Sequence, residues 1–271
     1  MEREAVVAGQ FYPSNNAQLL KQIESFIDTP VQKQAVKGLV MPHAGYVYSG
    51  KVAAETISSA DLEHKRIFVI IGPNHRGQGK RFSIMKEGTW KMPSGDVRID
   101  TELAKKILDS SQYLEEDSLA HSGEHSIEVQ LPLIQYFKKD FAIVPIIVYP
   151  AALEIYKEIA AAIALSIKES HKEKEVVIIA SSDMTHYESQ VAAEKKDNLA
   201  LEALLSLDEE ELFHRVKRFN ISMCGYAPAV IMLNACKALG AKNARLIKYQ
   251  TSGSVTGDFS SVVGYAGLLI D

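Results

Sequence analysis

Five apolar residues in succession, Ile67-Phe68-Val69-Ile70-Ile71, constrain this chain more than any other stretch. Mostly β-branched and without polar alternation, they predict a strand buried on both faces, as in a sheet layered between helices. Gly72-Pro73 is expected to stop the strand, and Asn74-His75 follows. The pattern recurs twice. Gly38-Leu39-Val40-Met41 runs into Pro42-His43-Ala44-Gly45, and Val176-Val177-Ile178-Ile179-Ala180 runs into Ser181-Ser182-Asp183-Met184-Thr185-His186. Loops at the carboxyl ends of strands form the ligand crevice of open α/β sheets. His43, His75 and His186 are therefore expected at one edge of one sheet, around a common pocket.

The intervening segments read as helices. Asn15 with Gln18 resembles a capping box before a stripe of Leu20, Ile23 and Ile27 that reaches about residue 28. Ser49 is a candidate cap for the helix after the first histidine loop. Residues 87–97 are turn-rich, and Thr101 starts a helix to about Asp109. Ile127, Leu131 and Ile134 suggest a helix kinked or restarted at Pro132. Further helices are expected over 151–170, 190–206 and 208–219, the last with Asp208 and Glu211 in capping-box spacing. Arg245–Gln250 and Val262–Ile270 read as closing strands. Alternation of this kind predicts an α/β fold with a central, largely parallel or mixed sheet covered by helices on both faces. No linker, repeat or composition shift divides residues 1–271, so one domain is expected.

Composition narrows the function classes. A net charge of −4 without a basic run argues against nucleic acid. The charged start Met1-Glu2-Arg3-Glu4 and the absence of a long apolar stretch argue against secretion or a membrane span. The two cysteines, Cys224 and Cys236, rule out a disulfide framework. Were both on one helix, their separation would be roughly 18 Å, beyond disulfide reach. A soluble, cytoplasmic protein is the expectation.

Among eight histidines, His64, His171 and His214 stand in charged or amphipathic surface contexts. A single loop histidine is ordinarily a hydrogen-bonding turn residue, but three at equivalent strand ends point to a shared metal or catalytic site. Cys236 reads as a small buried hydrophobe. Cys224 instead precedes a helix start marked by Pro228, where the helix dipole would favour the thiolate that binds metals or attacks electrophiles. Asp183, three residues before His186, and Glu124, beside His125 and near His121, are candidates for metal ligation, proton transfer or simple loop capping. No spacing matches a dinucleotide fingerprint, a P-loop or a His-Glu-x-x-His zinc motif.

Along nearly its whole length the chain resembles the Memo family. The motifs are Ala8-Gly9-Gln10-Phe11-Tyr12-Pro13, Pro42-His43-Ala44-Gly45-Tyr46, Gly72-Pro73-Asn74-His75, residues 120–132 (AHSGEHSIEVQLP), Ser181-Ser182-Asp183-Met184-Thr185-His186 and Met223-Cys224-Gly225. That family in turn resembles the class III extradiol dioxygenases, α/β sandwiches that hold non-haem Fe(II) with two histidines and a glutamate. The resemblance implies that His43 and His75 are metal ligands, that Cys224 replaces the glutamate, and that His186 matches the acid/base histidine, with Asp183 beside it. Tyr46, Glu124 and His125 would line the pocket. Iron or copper is the implied metal, with zinc also suited to a thiolate, and redox chemistry rather than simple catechol cleavage is the implied activity. A radical-SAM protein is an implied partner, because some microbial members are encoded beside one. Animal Memo proteins imply a different class, an adaptor recognising phosphotyrosine peptides in the same cleft. A narrow, metal-lined pocket would favour the first reading; a wide, basic-rimmed groove would favour the second.

Overall fold

Strand Ile67–Pro73 lies near the centre of the sheet because it has apolar partners on both sides. In the computed structural model, which describes residues 1–27 and 32–271, it pairs in parallel with Ala142–Val148 from Ile67↔Ala142 to Pro73↔Val148. On its other side it pairs in parallel with Val176–Ser181, from Ile67↔Val176 to Ile71↔Ala180. Gly38–Met41 continues the parallel set, with Met41 opposite Ser181. Every residue of these three strands, each of which leads towards one of the histidines, is buried. The sheet is mixed, with twelve strands among the described residues. Val262–Ile270 runs antiparallel to Gly38–Met41, and Ala244–Thr251 runs antiparallel to Val262–Ile270.

Two glycines show that helices cover both faces. A Cβ on Gly38 would strike Met232 and Cys236 of helix Tyr226–Ala238, whereas one on Gly267 would strike Thr56 and Val52 of helix Tyr46–Ser58. The register sets Ile270 opposite Gly38 and Leu269 opposite Leu39, so Gly38 and Gly267 have opposite parity. Because side chains alternate across a strand, the two helices lie on opposite faces. Helix Leu153–Glu169 packs beside Tyr226–Ala238, and one hydrophobic cluster runs through both layers.

Local chemistry explains several helix starts. Asn15, Asp100 and Asp208 each accept a backbone N–H three residues on. Pro132 restarts rather than kinks a helix: a 3-10 turn at Glu128–Gln130 passes into Leu131–Phe137, with proline in its first turn. Several expectations are corrected. The first helix ends at Glu24, and residue 28, its expected limit, lies outside the described residues. Ser49 is not a cap; Gly45 occupies that position, and the Ser49 hydroxyl donates back to Ala44 O inside the first turn. Gly72-Pro73 does not stop its strand, which continues through Pro73. The turn-rich stretch 87–97 contains strand Thr89–Lys91 and leads into Val97–Ile99.

Candidate metal centre

Aligned parallel strands deliver the three histidines to one edge. His43 and His75 lie in loops, whereas His186, expected in a loop, is the first residue of a short strand, His186–Glu188, that pairs with Val262–Ile270. Just beyond Met41, the His43 N–H donates to Asp183 Oδ1 at 2.8 Å, stitching the first loop to the third. The His43 imidazole is 2% exposed, with Nδ1 2.9 Å from Ser181 Oγ and Nε2 3.3 Å from Cys224 Sγ. Burial, with the neighbouring His75 and His125, holds it well below the usual imidazole range and therefore neutral.

His75 is oriented by Glu124. That carboxylate is 1% exposed and accepts the His75 N–H at 2.7 Å and the His75 Nδ1–H at 2.9 Å. It also accepts the backbone N–H groups of His125 and Ser126, each at 2.9 Å. Burial alone would raise its pKa, but the His75 and His125 rings and these donors outweigh it and hold the carboxyl at about 2. An ionised partner at Nδ1 leaves the lone pair of His75 on Nε2. His125 stacks on His75 at a centroid distance of 4.8 Å and touches Phe11. Burial pushes its imidazole down to about 4 against the charge of Glu124.

His186 donates its Nδ1–H to Ser222 O at 2.9 Å, which leaves its Nε2 as a base. Behind that loop, Asp197 is fully buried on helix Gln190–Leu205, accepting Thr185 N–H at 2.9 Å and Tyr249 O–H at 2.7 Å. Burial raises the Asp183 carboxyl, although the N–H groups of His43 and Ala44 oppose the shift.

Cys224 lies just before helix Tyr226–Ala238. Its sulfur accepts the Asp183 N–H at 3.3 Å. The dipole-favoured thiolate does not hold in the metal-free site: burial first, and the Asp183 carboxylate second, push the thiol far above its ordinary range. Gly225 makes the close approach possible. A Cβ there would lie 2.3 Å from Ser181 O and 2.4 Å from Ser182 Cβ, and the strand backbone cannot yield. Gly225→Ala is expected to cost about 1–3 kcal/mol and to displace Cys224 from His43. Denaturant midpoints check it; an alanine variant of wild-type stability would show slack in the loop.

The ligand atoms of His43, His75 and Cys224 all lie within 4.8 Å of one another. Tetrahedral bonds of about 2.0–2.3 Å separate ligands by about 3.5 Å, so small side-chain movements would close the set. The donor chemistry fits a borderline-soft transition metal. His75, Glu124 and His125 form a second such set, but Glu124 already spends Oε1 on three donors.

A cavity of about 730 Å³ opens in front, reached by His43, His75, His125, Asp183 and His186. Not every expected residue faces it. Tyr46 is 1% exposed in the core, its hydroxyl donating to Val129 O, and Tyr48 lines the cavity instead. Glu124 stands behind His75 rather than in the lining. His121, three residues before Glu124, is buried against Trp90. Ser181 and Gln130 carry no sequence signal beyond their places in the motifs at 181–186 and 120–132, whereas Asp197 is marked as an acid on the buried side of a helix.

These motifs belong together in known proteins. The family model for the Memo-like protein matches residues 3–269. A MEMO1 family protein of Methanosarcina mazei is 44% identical over 271 residues, covering 99% of each chain. MEMO1 family proteins of Methanococcus maripaludis and Thermotoga neapolitana are each 42% identical, over 286 and 283 residues, covering 100% of each chain. With the family model matched over residues 3–269 and relatives matched over their full length, this chain belongs to the Memo family.

Proposed function

We propose that this chain is a metalloprotein performing redox chemistry on a small ligand held in the cavity, with iron or copper at His43, His75 and Cys224 and zinc as a redox-inert substitute. The observation that carries the reading is the convergence of two imidazoles and one thiol within 4.8 Å, with both imidazoles lining a cavity. The bound metal would supply one-electron redox and Lewis acidity. The protein's own groups would do the rest. Glu124 orients His75, His125 stacks on its ring, and Asp183 ties the first and third loops. His186, with Nε2 free as a base, would take or return a proton of a ligand in the same cavity.

The phosphotyrosine-adaptor reading loses support at the lining, where Asp183 and Asp258 contribute and, among the described residues, neither lysine nor arginine does. Phosphate recognition calls for an arginine cluster. Thiolate in place of a carboxylate departs from the facial triad suited to oxygen activation at iron. The Fe(II)-loaded protein is accordingly expected to show no ring cleavage of simple catechols. Metal analysis of anaerobically purified protein, then oxygen uptake and ring-opened absorbance for the natural chain and Cys224→Glu, make the test. Catechol turnover by the natural chain would return it to the dioxygenase reading; absence of any bound metal would count against the centre itself.

A further inference from the structure

We infer that Ser181 is a positioning residue that places the proton of His43 on Nδ1 and so turns the lone pair of Nε2 towards Cys224; its functional consequence rests on the metal-centre reading above. A serine hydroxyl has one hydrogen and two lone pairs. Three groups surround Ser181 Oγ: Ser126 O at 2.6 Å, Gln130 Nε2 at 2.8 Å and His43 Nδ1 at 2.9 Å. The carbonyl of Ser126 has no hydrogen, so the hydroxyl proton goes there. The Gln130 amide must donate, because the same nitrogen reaches Pro42 O at 3.0 Å and a flipped amide would set oxygen against carbonyl. One lone pair remains, and only a protonated Nδ1 can use it.

The other tautomer would leave two lone pairs facing each other. His43 is 2% exposed, and Ser181 and Gln130 are fully buried, so bulk water does not relieve that clash. It would also spend the Nε2 hydrogen on sulfur, a weak acceptor. A free neutral imidazole prefers its proton on Nε2, so the protein overrides the intrinsic preference. Residues 124–130 thereby set both rings: Glu124 fixes His75 directly, while Ser126 and Gln130 fix His43 through Ser181.

The test uses metal-free full-length protein carrying 15N-histidine, read by long-range proton–nitrogen correlation, with His43 assigned by the signals lost in His43→Asn. The wild type is expected to show a protonated Nδ1 and a bare Nε2. Ser181→Ala should move the proton towards Nε2, and Ser181→Thr, which keeps the hydroxyl, should restore it. Zn(II) titration should show about 10–100-fold weaker binding for Ser181→Ala, regained in the threonine variant. A wild-type ring protonated on Nε2, or an alanine variant that keeps Nδ1–H, overturns the assignment. Should Ser181→Ala fail to fold, the wild-type spectrum decides alone. Failure of the wild type to bind Zn(II) would instead count against the metal centre, leaving the tautomer to the spectrum.

Discussion

Arg3→Ala is expected to destabilise the protein by about 3–5 kcal/mol, the usual cost of stranding one member of a buried ion pair. Arg3 and Glu128 meet at 2.6 Å, with side chains 4% and 0% exposed. Glu128 also accepts Val6 N–H, Val7 N–H and the Tyr12 hydroxyl, so it would remain buried without its counter-charge. The guanidinium fork further donates to His121 O at 2.8 Å and Glu124 O at 2.6 Å, and its Cζ lies 4.0 Å from the Trp90 centroid. Lysine offers a point charge in place of that fork, so Arg3→Lys should recover only part of the loss. Domain stabilities of about 5–15 kcal/mol make the effect a large fraction of the total. Urea unfolding with an unchanged slope would read it, and a variant within about 1 kcal/mol of wild type would refute it. Because Arg3 holds the carbonyls around Glu124, amide exchange at His125 and Ser126 should also speed up.

That pair shows what sequence pattern does and does not reveal. The sheet was legible because an unbroken run such as Ile67–Ile71 has one economical destination, a strand covered on both faces. Parallel register then brings the ends of Gly38–Met41, Ile67–Pro73 and Val176–Ser181 together, so convergence of His43, His75 and His186 follows from topology. Side-chain direction was not legible. Tyr46 and Tyr48 are two residues apart at a helix start, and helical rotation sends one into the core and the other into the cavity. Arg3 and Glu128 are 125 residues apart, and no local periodicity links them. For Cys224, the helix-dipole expectation considered only a favourable field. Desolvation acts in the opposite direction and prevails, because the sulfur is packed among His43, Asp183 and the backbone of the strand end.

This reversal sets the expected behaviour of metal uptake. The metal-free site holds a thiol, with Nε2 of His43 3.3 Å away as its natural acceptor, while metal ligation requires the thiolate. His43 is already neutral, held below the usual imidazole range by burial, and so releases no proton when the metal binds. Each Zn(II) bound should therefore release one proton from Cys224. Affinity should rise about tenfold per pH unit over roughly pH 7 to 9, because the whole interval lies below the raised thiol pKa. The sign follows from the thiol: protons compete with the metal, so acid weakens binding. Cys224→Ala should abolish this slope. If about 10–16 kcal/mol of structural zinc binding is shared among four ligands, each contributes about 3 kcal/mol, and the variant should bind at least about a hundredfold more weakly. Calorimetry in buffers of different ionisation enthalpy counts the protons directly. Tight Zn(II) binding with no proton released would mean that Cys224 is already a thiolate or is not a ligand. A pH slope that survives in Cys224→Ala would place the competing proton elsewhere in the site.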